Sequence, residues 1–234
     1  SVLLDSNRFI SERPKSPSPA FVASSNNAMV LIENSASVLI LNMEANFFPQ
    51  ARLALSAVEV TTVEVVDSAF KNSISFSWIN NLLLQDCVFA NTTGSASLIY
   101  HSNFACIRDS IYDGNQASFE GSAVHLIGTL AEIFNTTFSR NWAEYRGTVS
   151  TDQTLLLHHS NFTANSAGSI AGGLWTAFNS SVQNTVFVSN TAPMGGAVAS
   201  NGHLAVTHSK FELNHATRQG GAIWTGTAAS TEID

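Results

Sequence analysis

The chain has 234 residues and a net charge of −7, with 44% apolar but only 12% charged residues. Its ten lysines and arginines are scattered and form no basic patch, so we expect no nucleic-acid partner. No apolar run approaches the roughly 20 residues that span a bilayer, so we expect no membrane span. Because the chain begins at Ser1 without an initiator methionine, we expect a mature product or a fragment.

The first 64 residues carry a weak form of a repeat that becomes clear later in the chain. Phe9, and Phe47 at 23 residues before Phe70, predict two early coils. Between them, residues 11–20 hold three prolines, which lack the N–H group that a central strand needs. We therefore expect residues 11–20 to form a Pro/Ser-rich loop that leaves the stack.

Residues 65–224 contain the most regular repeat. Seven segments share the order apolar, any, Asp/Asn/His, Ser/Thr/Cys, any, aromatic, and the last five add an asparagine three residues after the aromatic. A glycine-led apolar segment follows each asparagine. The aromatic residues are Phe70, Phe89, Tyr112, Phe138, Phe162, Phe187 and Phe211, and the asparagines are Asn115, Asn141, Asn165, Asn190 and Asn214.

Each repeat contains three short strand-like pieces and no segment with the periodicity of a crossover helix. This pattern predicts an all-β fold, a right-handed parallel β-helix of about nine coils of roughly 24 residues, in one domain over residues 1–234. Alternation places the aromatic residue, and the Ser/Thr two positions before it, inside the coil. The Asp/Asn/His position is predicted to be a bend, because these residues tolerate left-handed backbone.

The Phe-x-x-Asn motif and the Gly-Gly-Ala-Val/Ile segments that start at Gly195 and Gly220 resemble repeats of the chlamydial polymorphic outer-membrane proteins. The best matches cover residues 138–223. The resemblance implies a secreted or surface β-helix of the pectin-lyase-like superfold. The early coils depart from the pattern, because Gly-Gly is lacking before Gly172 and residues 1–64 are only loosely covered.

The superfold hosts polysaccharide lyases and glycoside hydrolases, so a cluster of acidic residues would indicate a candidate active site. Asp67, Asp86 and Asp109 occupy one column of consecutive coils and are expected within about 5 Å of each other, close enough to bind a cation. Arg108 is the basic residue beside them in the sequence. The other interpretation is purely structural, since the same bend column continues without acidity as Asn135, His159, Asn184 and His208.

Neither the histidines nor the cysteines predict a metal or cofactor site. His159 and His208 lie two coils apart, about 10 Å, which is too far for one ion. Cys87 and Cys106 occupy different places in the repeat, predict no disulfide framework and leave the redox compartment open. The Gly-Gly-Ala segments recur with the coils, so they indicate backbone geometry and not a nucleotide-binding loop.

Two tryptophans occupy repeat positions that have equivalents in other coils. Trp175 aligns with Val149, Val198 and Ile223, which predicts a core position. Trp224 aligns with Ser150, Thr176 and Ala199 in an outward column, so it is the candidate for a surface contact.

Four Asn-x-Ser/Thr sequons occur, about the number that the composition produces by chance. Asn161 precedes an inward phenylalanine and is expected to point outward, and Asn179 lies in a connection. These two are the better candidates for N-glycans in a eukaryotic secreted protein, whereas Asn135 sits at the bend and Asn91 near a turn.

The favoured function is a non-catalytic extracellular or cell-surface scaffold, part of a larger surface protein or fibre, with N-glycans and end-to-end stacking of coils. Regular coils without a repeated chemical cluster favour this hypothesis. One alternative is a polysaccharide lyase or hydrolase that uses Asp67, Asp86 and Asp109. Another is an adhesin domain that binds cell-surface receptors.

Overall fold

The computed structural model describes residues 2–5, 8–10, 20–25, 28–34, 36–41, 44–45, 53–226 and 229–234. In these residues the chain is an all-β parallel solenoid of about eight turns with a spacing of roughly 24 residues. The predicted fold class is confirmed, with a coil number close to the nine expected.

Four sheets, named A to D, run along the solenoid, and their strands are numbered in chain order. Sheet A contains β1 (Val2–Asp5), β2 (Arg8–Ile10), β5 (Ser37–Leu41), β8 (Thr62–Val66), β11 (Asn81–Gln85), β14 (Phe104–Arg108), β18 (Leu130–Phe134), β22 (Leu155–His158), β26 (Ser180–Gln183), β30 (Leu204–Thr207) and β34 (Thr231–Ile233). Sheet B contains β3 (Ala20–Ser25), β4 (Ala28–Glu33), β7 (Leu53–Val58), β10 (Ser73–Ser77), β13 (Ser97–Tyr100), β17 (Val124–Ile127), β21 (Val149–Thr151), β25 (Leu174–Thr176), β29 (Val198–Ser200) and β33 (Ile223–Thr225).

The other two sheets have shorter strands. Sheet C contains β6 (Glu44–Ala45), β9 (Ala69–Phe70), β12 (Val88–Ala90), β15 (Ile111–Asp113), β19 (Thr137–Ser139), β23 (Asn161–Thr163), β27 (Val186–Val188) and β31 (Lys210–Glu212). Sheet D contains β16 (Gln116–Ala117), β20 (Trp142–Ala143), β24 (Ser166–Ala167), β28 (Thr191–Met194) and β32 (His215–Gln219).

Each coil between Gln116 and Gln219 passes through sheets A, C, D and B in that order, so it has four strands and not the predicted three. The sequence pattern did not predict sheet D, because its first three strands have only two residues each. An alternating pattern needs a longer run to be recognised.

The aromatic column forms the centre of the core, as predicted. The rings from Phe70 to Phe211 stack face to face along the axis, with centroids 4.5–5.2 Å apart. All are fully buried except Phe211, which is half-buried. Parallel strands lie about 4.8 Å apart, so equivalent rings meet at stacking distance.

The predicted bend is also confirmed. Asp67, Asp86, Asp109 and the four residues that continue their column all have left-handed backbone, with φ between 45° and 54°. Arg140, Ala164 and Leu213 form a second left-handed corner after sheet C, at φ of 52–54°, a conformation that such residues rarely adopt. The repeated corner therefore imposes its backbone even where the local residue disfavours it.

The N-terminal coils differ from their prediction. Phe9 lies in β2, which pairs antiparallel with β1, so it belongs to a hairpin and not to a coil. Ala45 pairs with Phe70 and occupies the aromatic column, whereas Phe47 lies outside the described residues. The predicted loop at residues 11–20 is also outside them, except for Ala20, which begins β3. Strand β3 pairs antiparallel with β4, so antiparallel strands cover the N-terminal edges of sheets A and B.

A ladder of buried asparagines joins the coils. The Oδ1 atom of Asn165 accepts hydrogen bonds from the backbone N–H and Nδ2 of Asn141, both at 3.0 Å. Its Nδ2 donates to the carbonyl of Phe138 and to Oδ1 of Asn190, again at 3.0 Å. The same contacts recur along the ladder, which ends at half-buried Asn214. Both ends of each internal amide are satisfied, so no water is needed to complete the network.

We expect Asn165→Ala to lower the free energy of unfolding by about 4 kcal/mol, because it removes four hydrogen bonds worth about 1 kcal/mol each. Asn214→Ala is the matched control. It removes three such bonds at a half-buried position, where water can replace part of the loss. Urea unfolding followed by circular dichroism measures both, and equal losses at the two positions would contradict the role of the buried ladder.

Candidate functional site

The three aspartates form the column that the sequence predicts. Val66, Gln85 and Arg108 are paired neighbours in sheet A, so the residue after each of them lies on one line along the axis. Asp67 and Asp86 are exposed and Asp109 is half-exposed. The structure therefore brings the three carboxylates to one edge of the solenoid.

Local side chains occupy part of this column. Oδ2 of Asp86 accepts a hydrogen bond from Nε2 of Gln85 at 2.9 Å, and Oδ1 of Asp109 accepts one from Nδ2 of Asn135 at 2.7 Å. Nε of Arg108 donates to Oε1 of Gln85 at 3.1 Å, and none of the ion pairs among the described residues joins Arg108 to one of these aspartates. In the described part of the chain, no three His, Cys, Asp or Glu side chains are grouped closely enough to hold a metal ion.

A shallow groove on the outer face of sheet A was not predicted. It has a volume of about 170 Å³ and is lined by Glu132, Leu156, Leu157, His158, Ser181 and Gln183. Oε1 of Glu132 lies 2.7 Å from Nε2 of His158, and Phe134 packs against the imidazole with a centroid distance of 5.0 Å. The groove can offer a carboxylate, an amide and an apolar surface to a small polar ligand. The outward alternation of neighbouring strands β18 and β22 was the signal that could have revealed it.

A buried charged cluster lies against the outer side of sheet B, beneath the connections that arrive from sheet D. The carboxylate of Glu120, only 7% exposed, is 3.0 Å from Arg146, 3.1 Å from the hydroxyl of Ser150 and 3.7 Å from Nε2 of His125. The guanidinium of Arg146 lies 4.2 Å from the ring centroid of Trp175. These contacts satisfy a carboxylate that would otherwise be costly to bury.

Burial lowers the pKa of His125, against an opposing effect of Glu120 and Asp152, and Arg146 lowers it further. The imidazole is therefore neutral over a wider pH range in the fold than in the unfolded chain, where its pKa is about 6.5. Below that value the unfolded chain binds more protons, so stability falls as the pH falls.

We expect His125→Gln to reduce the loss of stability between pH 7.5 and pH 5, because the buried group that resists protonation is absent. Urea midpoints at both pH values test this expectation. His203→Gln is the control, since His203 is exposed and hydrogen-bonded to Ser230. A pH dependence that is unchanged in His125→Gln would contradict the interpretation.

The two tryptophans share one column, which corrects the predicted alignment. Ser150, Trp175, Ala199 and Trp224 are successive partners in sheet B. The prediction aligned Trp175 with Val198, whereas the backbone pairs Leu174 with Val198, and a slip of one residue exchanges the faces of a strand. Trp175 is buried, but in a small cluster outside sheet B and not in the main core. Trp224 is half-buried, and its indole N–H donates to Gln219 at 3.0 Å.

The cysteines have separate environments. Cys87 takes the place of a core hydroxyl residue, and its thiol donates to the carbonyls of Val65 and Gln85 at 3.4 and 3.3 Å. Burial raises its pKa to about 12. Cys106 lies half-buried on the outer face of sheet A, where burial also raises its pKa. Both thiols are therefore held in the protonated, weakly nucleophilic form at neutral pH.

All four sequon asparagines are exposed, with different surroundings. Asn161 begins β23 between Thr137 and Val186, and Asn179 lies in the connection between β25 and β26. The Nδ2 atom of Asn135 is already bonded to Asp109. Asn91 is at a left-handed corner, and its Oδ1 lies against Gly114. A Cβ atom added at Gly114 would be only 2.7 Å from that oxygen.

Comparisons with protein-family models, with curated proteins and with solved structures found no match to this chain. The strand pairing supports the β-solenoid that the chlamydial resemblance implies. No family match supports the chlamydial repeats in particular. In the part of the chain that the structure describes, no helix has the length and apolar character to cross a membrane.

Proposed function

We propose that this chain is a non-catalytic β-solenoid scaffold, a segment of a larger extracellular or cell-surface protein or fibre related to the chlamydial repeat proteins. The asparagine ladder is the observation that carries the proposal. Its polar side chains, the most regular in the repeat, bond to the backbone and to each other in the interior. The repeat thus supports a continuous rod.

The bend column is consistent with the same function. A left-handed backbone recurs there with Asp, Asn and His alike, so the conformation accounts for the choice of residue better than an acid requirement does. The aspartates then have a structural role, because they accommodate the left-handed backbone of the bend while their side chains remain in contact with water.

We expect the triple variant Asp67→Asn, Asp86→Asn, Asp109→Asn to fold normally, because asparagine is equally suited to left-handed backbone. Acidic and neutral polysaccharides are the substrates to assay with both proteins. Turnover by the parent chain that is lost in the variant would overturn the scaffold proposal in favour of a polysaccharide-active enzyme.

End-to-end stacking of coils is part of the proposal. At the C-terminal side, β31, β32 and β33 are the edge strands of sheets C, D and B. In each earlier coil of the ladder, the backbone N–H and Nδ2 of one asparagine both donate to the Oδ1 atom of the asparagine in the next coil. Asn214 presents the same two donor groups at the edge. A further coil of the same repeat, in this chain or a second copy, would supply the complementary acceptor.

Electron microscopy of native material combined with glycan mass spectrometry tests the scaffold proposal. We expect rods longer than eight coils, about 38 Å at the ladder spacing, and glycans at Asn161 and Asn179. Isolated short particles without glycans would count against the proposal. Isolated monomers that bind cells would favour the adhesin alternative instead.

A further inference from the structure

Three large aromatic side chains are exposed on two neighbouring coils. Phe119, Trp142 and Tyr145, here called the aromatic shelf, are 58%, 41% and 51% exposed. The backbone N–H of Tyr145 donates to the carbonyl of Phe119 at 2.8 Å, which places one residue above the other along the axis. Their rings are tilted at 44° with centroids 5.4 Å apart. Phe119 and Tyr145 thus present a paired apolar surface to solvent, and exposed Trp142 precedes Tyr145 by three residues in the same coil.

Small residues of the next coil lie beside the aromatic shelf. Ser166 pairs with Trp142, and Ile170 donates its backbone N–H to Tyr145, so the small residues Ser166, Gly168 and Ser169 lie alongside the rings. The backbone of Gly168 approaches so closely that a Cβ atom would lie 2.4 Å from the carbonyl oxygen of Glu144. Small residues leave the flank of the rings accessible to an extended chain.

The charge on the shelf is negative. Glu144 is exposed between Trp142 and Tyr145 in the sequence, and none of the ion pairs among the described residues includes it. The neighbouring Arg146 is directed to Glu120 and Trp175. A partner with a cation close to an apolar extended segment would complement this surface.

Proline-rich segments have this chemistry. They favour an extended polyproline II conformation, lose little entropy on binding and pack their rings against exposed aromatic side chains. Residues 13–19, Arg-Pro-Lys-Ser-Pro-Ser-Pro, combine three prolines with two cations in an otherwise acidic chain. We propose that the aromatic shelf binds residues 13–19 of a second copy of this chain.

The length of the chain excludes binding within one molecule. Residues 13–19 lie between Ile10 of β2 and Ala20 of β3, and ten Cα–Cα steps span at most about 36 Å. A segment tethered at both of these residues therefore reaches no farther than about 18 Å from the nearer one. Strand β17, which follows Phe119, is five ladder steps from β3, or about 24 Å. Only another molecule can deliver the segment to the shelf.

The test is the binding of a fluorescent peptide with the sequence of residues 11–20 to the full chain, measured by anisotropy. We expect saturable binding, weakened at least about tenfold by Tyr145→Ala or Phe119→Ala, since truncated aromatic anchors dominate such contacts. Glu144→Gln is expected to weaken binding and reduce its salt dependence. Phe178→Ala is the matched control, because Phe178 is another exposed aromatic residue at 53%.

A peptide with all three prolines replaced by alanine provides the second control, and sedimentation velocity of the full chain provides the second measurement. We expect association that depends on concentration and is lost in Tyr145→Ala and in the proline-free chain. No peptide binding, equal binding of the alanine peptide, or equal effects of Tyr145→Ala and Phe178→Ala would overturn the proposal. Binding of a saccharide at the shelf without peptide binding would also overturn it. End-to-end stacking is independent of the shelf, so rods formed by Tyr145→Ala would leave the scaffold proposal intact.

Discussion

The spacing of parallel strands, about 4.8 Å from one coil to the next, is the constraint on which the structure depends. It places every repeated side chain directly against its own equivalent, so a column is stable only if its residue complements itself. Phenylalanine does so by stacking. Asparagine does so because its amide has a donor and an acceptor, and an asparagine column therefore satisfies itself at the centre of the protein. Aspartate cannot, since stacked carboxylates offer only acceptors and repel one another.

This difference accounts for where the acids lie. The aspartates of the repeat are found at the bend, where water and neighbouring amides solvate them. Among the residues that the structure describes, Glu120 is the buried exception, and it is accompanied by an arginine, a hydroxyl and an imidazole. Loss of the Arg146 contact leaves the buried carboxylate without its arginine, so this cluster constrains the pairing of its coils more strictly than apolar neighbours such as Ile170 do.

Much of the fold was predictable because it depends on self-complementary columns that recur in the sequence. Phe138, Asn165 and Asp109 each have equivalents about 24 residues away, and their roles follow from alternation and backbone preference. Trp175 and Glu120 have no such equivalents. The position of Trp175 depends on a one-residue choice of register. The partners of Glu120 come from two coils, His125 from its own coil and Arg146 and Ser150 from the next. Local patterns do not contain that information, which is also why the groove at Glu132 and His158 was missed.

The same reasoning indicates where specific function can reside in a repetitive rod. Residues in the repeated columns hold the coils together, so a substitution there disturbs the contacts with the coils on both sides. Outward positions that break the repeat are free of that constraint. The groove at His158 and the aromatic shelf both occupy such positions, on different faces, and in neighbouring coils the equivalents of their residues are mostly small or polar. A solenoid can therefore acquire a lateral binding surface by substituting a few outward residues while its interior ladder stays unchanged. Because interior and surface residues can change independently, a solenoid can keep its stacked coils and gain a binding surface through only a few substitutions.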